Sequence, residues 1–144
     1  MSKLPRVASI VLPILKAANL TGSYGSVGDN VVTWNPSVEN RVYPWIQVRR
    51  FGGFRHSYRP TQLGLPVIEL TARSDIGIPE TEQLYEDALE ALYDAVQRQT
   101  LTDAGYLSSI KETLGATQLS SEFMDSWRVQ GLIKLGIRPP RPTT

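Results

Sequence analysis

Cysteine is absent from this chain of 144 residues. That excludes disulfide scaffolds, thiolate zinc sites and cysteine nucleophiles together, and it is compatible with a reducing compartment. Histidine occurs once, at His56, so a histidine metal site or a Ser-His-Asp arrangement would have to be built around one loop residue. No stretch approaches the roughly 20 apolar residues that a membrane span needs, and no membrane partner is expected. Net charge is nearly absent as well, at +1, so the whole molecule has no strong pull towards nucleic acid or a membrane surface. Gly22, Gly25 and Gly28 are evenly spaced, but no Lys-Ser/Thr pair follows them, and a phosphate-binding loop needs that context.

What is present fits a folded protein. Hydrophobic residues make up 41% and charged residues 20%, ordinary values for a globular domain. We read residues 1–138 as a single α+β domain and residues 139–144 as an extended, proline-rich C-terminal tail. The N-terminal apolar stretch is short, contains Pro13 and is followed by Lys16 and Asn19, which argues against a signal peptide.

Periodicity supplies the elements. Leu4, Val7, Val11, Ile14, Leu15 and Ala18 recur at helical spacing and predict a helix over residues 5–18. Pro5 suits its first turn, whereas Pro13 is expected to kink or split it. Residues 21–29 read as a flexible loop by composition. Residues 30–34 suggest a short strand, and Asn35-Pro36-Ser37 a turn. Residues 42–51 and 66–73 alternate in apolar and polar side chains and are expected to pair antiparallel across a long loop. In the first of them Ile46 and Val48 share one face and Trp45, Gln47 and Arg49 the other, and Pro44 places its start near an edge.

Residues 79–99 predict the second helix, with Leu84, Tyr85, Ala88, Leu92, Ala95 and Val96 as its apolar stripe. Glu80, Glu82, Glu86 and Asp87 lie towards its positive end and Arg98 at its negative end. Beyond it, residues 106–113 suggest a strand closed by Gly115, and residues 120–125 a turn or short helical piece. Residues 127–137 alternate as a strand with one buried face. The expected fold class is therefore α+β, a mixed and mainly antiparallel sheet flanked by helices on one side, in the order α-β-β-β-α-β-β.

Two charge-bearing features stand out. Residues 49–59 crowd Arg49, Arg50, Arg55 and Arg59 among Phe51, Phe54 and Tyr58. Such a loop can serve as a protein interface, since arginine and aromatics dominate binding hot spots. It can also stack on bases and pair with phosphates, or be a solvated hairpin tip. Its complement is residues 75–97, which hold seven acids and neither lysine nor arginine. One subunit's acidic helix meeting its neighbour's basic loop would make a head-to-tail contact, the kind that closes rings. The candidate interface residues are Arg49, Arg50, Phe51, Phe54, Arg55, Tyr58, Arg59, Glu80, Glu86, Asp87 and Arg138. No catalytic, cofactor-binding or metal-binding residue is expected, since helix dipole and solvation account for the carboxylates.

The run Tyr43-Pro44-Trp45-Ile46-Gln47-Val48-Arg49-Arg50-Phe51-Gly52-Gly53 is followed by Pro66-Val67-Ile68-Glu69-Leu70-Thr71-Ala72-Arg73. A helix with Ala88-Leu89-Glu90-Ala91-Leu92 and the strand Trp127-Arg128-Val129-Gln130-Gly131 come next. In that order of elements the chain resembles tail terminator (tail-completion) proteins of long-tailed bacteriophages. The resemblance implies a structural virion protein and not an enzyme. It implies a homo-oligomeric ring, a hexamer, that caps the head-proximal end of the tail tube. Such a ring ends tube polymerisation and joins the tail to the head connector. The implied partners are the major tail tube protein, the head-tail connector or stopper protein, and genomic DNA passing through the channel without sequence-specific binding. The implied location is the virion, with assembly in the host cytoplasm. The resemblance brings no active site and no cofactor. Two alternatives remain beside it: another head-tail connector or neck protein, and a nucleic-acid-binding module using the basic loop.

Overall fold

Five strands and two helices build the body of the molecule, and the apolar periodicity of each decides which face it buries. The computed structural model describes residues 4–33, 42–119 and 126–140. Along it run α1 (Val7–Ala17), β1 (Thr21–Gly22), β2 (Gly25–Ser26), β3 (Val31–Val32), β4 (Trp45–Arg55), β5 (Gly64–Ser74), α2 (Ile78–Arg98), β6 (Tyr106–Leu119) and β7 (Trp127–Arg138). The expected turn at Asn35-Pro36-Ser37, the piece at residues 120–125, Trp34 and the tail at residues 141–144 lie outside the described residues.

The main sheet has the order β3-β4-β5-β7-β6. Its β4–β5, β5–β7 and β6–β7 pairs are antiparallel, and β3 runs parallel to β4. The chain leaves β5, crosses through α2 to the far edge, and returns by the β6–β7 hairpin into the gap. The fold is α+β, as the sequence implies. Both helices lie on one face, α2 against β5, β6 and β7, and α1 against β3, β4 and α2. Between helices and sheet sits one apolar core, with Ile46, Val48, Ile68, Leu70, Ala72, Val129 and Ile133 from the strands and Ile10, Leu15, Leu84 and Leu92 from the helices.

Helix α2 forms where the pattern places it. Pro79 occupies the first turn, Glu80 adds negative charge there and Arg98 adds positive charge in the last turn, both favourable to the helix dipole. It stops at Gln99, whose left-handed φ of 48° brings the next amide, Thr100 N–H, back to Ala95 C=O.

Several expectations are corrected. Helix α1 begins at Val7, with Pro5 ahead of it, and runs unbroken through Pro13. Pro13 faces solvent while Val7, Ile10, Val11, Ile14 and Leu15 are buried around it, so burial of that stripe outweighs one lost hydrogen bond. Residues 21–29 are not a loose loop. Thr21 and Gly22 pair with Ser26 and Gly25, and Tyr24 and Val27 anchor this small hairpin in the core. Strand β6 continues past Gly115 to Leu119, carried by three register shifts against β7. The face of β4 opposite the helices is less open than alternation suggests. Trp45 and Gln47 are buried there with Thr71 and Arg73, and the Arg73 guanidinium sits 5.0 Å from the centre of the Trp45 ring.

Candidate functional site

The basic segment is largely strand. β4 runs on to Arg55 and pairs back to Gly64, so the expected long loop shrinks to residues 56–63. One extra residue enters β4 between Arg50 and Gly53 as a bulge, and bulges bend a strand and re-aim its side chains. Gly52 and Gly53 make it possible, with φ of 90° and 94°. At Gly53 a side chain would also strike the backbone of Leu65, Pro66 and Val67. The tip is tied down by His56 N–H to Leu63 C=O and by Gln62 and Leu63 N–H to Arg59 C=O. His56 Nδ1 accepts from Tyr58 N–H at 3.2 Å, so the single histidine serves loop geometry. The result is a hydrogen-bonded arm.

On this arm Phe54 is 85% and Tyr58 90% exposed, and Phe51 is exposed as well. Its arginines differ in their commitments. Arg49 pairs with Glu69 at 2.8 Å. Arg50 donates to Gly52 C=O and Arg55 to Pro60 C=O, and Arg59 is exposed. At the root of the arm a hollow of about 140 Å³ collects Arg6, Arg50, Phe54 and Arg55. Arg6 precedes α1, and only the tertiary fold brings it here, so local pattern could not reveal it.

The acidic helix divides its charge between two sides. Glu86, with Glu82 one turn earlier, approaches Glu112 of β6. The Glu86 carboxyl is held above its ordinary range by partial burial first, and then by Glu112, Glu82, Glu90 and Asp87. On the other side Asp87, Glu90 and Asp94 line an open cleft of about 550 Å³ between the end of α1 and α2, floored by Ile14, Leu20 and Ala95. Asp87 is fixed there: Tyr24 O–H donates to one carboxylate oxygen at 2.7 Å, and the Gln83 amide to the other at 2.7 Å. Burial, followed by the hydrogen bond and charge of Asp87, pushes the Tyr24 phenol well above its ordinary range. Asp94 pairs with Arg98 one turn on.

Of the acids that sequence singles out, only Asp87 enters the cleft. Glu80 stays in the first turn of α2 and Glu86 turns towards β6. Arg138 ends β7 opposite Tyr106, next to Ile137, which pairs with Gly64 and lines the hollow at the root of the arm. Glu90 and Asp94 count among the seven acids of residues 75–97 but not among the candidate interface residues, although their spacing from Asp87, three and seven positions on, puts all three on one helical face. Among the described residues no three His, Asp or Glu side chains are grouped to hold a metal ion, and no helix is long and apolar enough to cross a membrane. The chemistry on display is recognition: aromatic and cationic groups on an arm, anionic groups over an apolar floor in a cleft.

Comparison with known proteins places these surfaces in a context. Residues 3–144 match the family described as phage tail termination protein. The chain is 52% identical over 144 residues to the "Gene 22 protein" of Mycobacterium phage D29, covering all of both chains. It is likewise 52% identical over 143 residues to the "Gene 22 protein" of Mycobacterium phage L5, covering 99% of each. Its fold is shared with a chain from the virion of a native gene transfer agent particle, at a TM-score of 0.60 and 15% identity, over 92% of this chain and 94% of that one.

Proposed function

The chain belongs to the phage tail termination protein family, and from that premise we propose that it is a tail terminator acting as a ring, a hexamer, at the head-proximal end of the tail tube. It ends tube polymerisation and joins the tail to the head connector. The observation that carries this reading is the family match over nearly the whole chain. The shape of the molecule supports it, because the arm and the acidic cleft share no residue. Two unlike surfaces on one subunit favour head-to-tail contacts, and such contacts generate closed rings when the rotation per subunit allows.

The mechanism is passive. One surface of the ring is complementary to the last tube ring, and the other accepts the connector in place of a further tube ring. Exposed aromatic side chains on the arm supply contact area and arginines set register. The tube protein, the connector or stopper protein and the transiting genome are the partners. The genome passes without sequence-specific binding, since every captured phosphate would add affinity and drag. Assembly takes place in the host cytoplasm and the product resides in the virion. Likeness to a chain of a gene transfer agent virion is consistent with this placement.

Interrupting the gene in its phage tests the proposal. Tails of uncontrolled length that fail to join filled heads are expected in electron micrographs of the lysate. Tails of normal length joined to heads would overturn it.

A further inference from the structure

We propose that the cleft between α1 and α2 is the socket for the β4–β5 arm of a second copy of this chain. The inference rests on the ring reading above and gives it a specific contact. The cleft carries Asp87, Glu90 and Asp94 and no lysine or arginine among its lining residues. Asp87 receives its hydrogen bonds from neutral donors, Tyr24 and Gln83, so its charge is oriented but not balanced. Glu90 makes no ion pair among the described residues. The pair of Asp94 with Arg98 is exposed, the kind of surface pair that a better-placed partner displaces at little cost. Beneath these charges lies the apolar floor of Ile14, Leu20 and Ala95.

The arm presents the matching inventory. Phe54 and Tyr58 stand almost wholly in solvent, and Arg55 and Arg59 flank them with no carboxylate bonded to either among the described residues. Aromatic and arginine side chains together are what binding hot spots are made of. A cavity of about 550 Å³ falls in the range, about 300–1,000 Å³, of pockets that enclose compact organic groups, which suits an aromatic side chain with a guanidinium beside it. A protomer's own arm supplies none of the lining of its cleft, so the socket is filled from outside. The occupant with the right charge and the right aromatics is the next copy.

The absence of native cysteine makes the test clean. Two single-cysteine variants, Ser57→Cys on the arm and Ala17→Cys on the cleft wall, are mixed under conditions where the protein assembles and treated with a short bismaleimide. If the free chain does not assemble, the same pair is tested in tails that carry both variants. A crosslinked dimer is expected only in the mixture, and a ladder of linked subunits when one chain carries both changes. Assembled rings without the mixed crosslink would overturn the socket and leave the ring standing. A chain that stays monomeric in solution and in tails would sink the ring reading itself. Charge reversal gives an independent readout. Arg55→Glu with Arg59→Glu, or Glu90→Arg with Asp94→Arg, should each weaken self-association at least about tenfold by sedimentation, with circular dichroism unchanged. All four together should restore it, and failure of the combined variant to recover would count against the pairing.

Discussion

Gly131 and Tyr85 illustrate how much of this fold is decided by single atoms. Tyr85 is fully buried on α2, and its hydroxyl, which has no hydrogen-bond partner among the described residues, lies over the backbone of Gly131 in β7. A methyl group at position 131 would collide with that hydroxyl and approach Leu114 C=O at 2.9 Å. Gly131→Ala is expected to destabilise the protein by about 2–3 kcal/mol, the scale of overpacking in a tight core. Tyr85→Phe removes an unsatisfied buried polar atom and should be neutral or stabilising by up to about 1 kcal/mol. It should also rescue part of the Gly131→Ala loss, because neighbours in contact are not additive. Urea unfolding of the two single variants and the double variant measures all three, and strict additivity would refute the contact.

Tyr24 and Tyr85 also set an alkaline limit. Burial raises both phenols above their ordinary value of about 10. The unfolded chain therefore releases these protons first. Neither phenol costs stability through ionisation below about pH 10, and stability falls as pH climbs towards the folded values. Stability measured between pH 9 and pH 11.5 should decline at the upper end, less steeply in Tyr24→Phe and Tyr85→Phe. An unchanged slope in both variants would contradict the assignment. Neither tyrosine announces its environment in the sequence, where Tyr85 reads as one more stripe residue and Tyr24 as part of a glycine-rich loop.

At the scale of elements, legibility followed regularity. α2 could be read almost to its ends because apolar spacing, Pro79 and the charge bias agree. β4, β5 and β7 were visible from alternation, and so was the helix-facing side of each. What escaped depends on partners distant in sequence. Residues 21–29 pack because α2 offers Asp87 to Tyr24, and β6 extends beyond Gly115 because β7 offers a ladder as far as Arg128. The arm escaped for a different reason. Gly52 and Gly53 look like loop residues, yet they serve a bulge inside a strand. Gly53→Ala should loosen the arm, since a side chain there meets both an unfavourable φ and the backbone of β5. A loss of about 1–3 kcal/mol is expected, with faster tryptic cleavage after Arg55, since Arg59 is shielded by Pro60. Unaltered stability and cleavage would show that the bulge is incidental.

At the scale of the molecule, the useful quantity is the arrangement of charge. A net charge of +1 conceals a basic arm and an acidic α2, and the separation of the two was legible from the sequence alone. Which acids face a cleft was not, because helical spacing gives a stripe but not the neighbour that turns it into a cleft. Helix α1 supplies that neighbour, and it also brings Arg6 to the root of the arm. A subunit built this way has a donor surface and an acceptor surface, which suits repetition around an axis better than chemistry on a substrate.

Electron microscopy of the purified protein, and of tails bearing it, tests that central claim most directly. The account predicts closed six-membered rings with an open channel, seated at the head-proximal tip of the tail. Particles that are solitary protomers or symmetric dimers in solution, with no ring density at that tip, would contradict it.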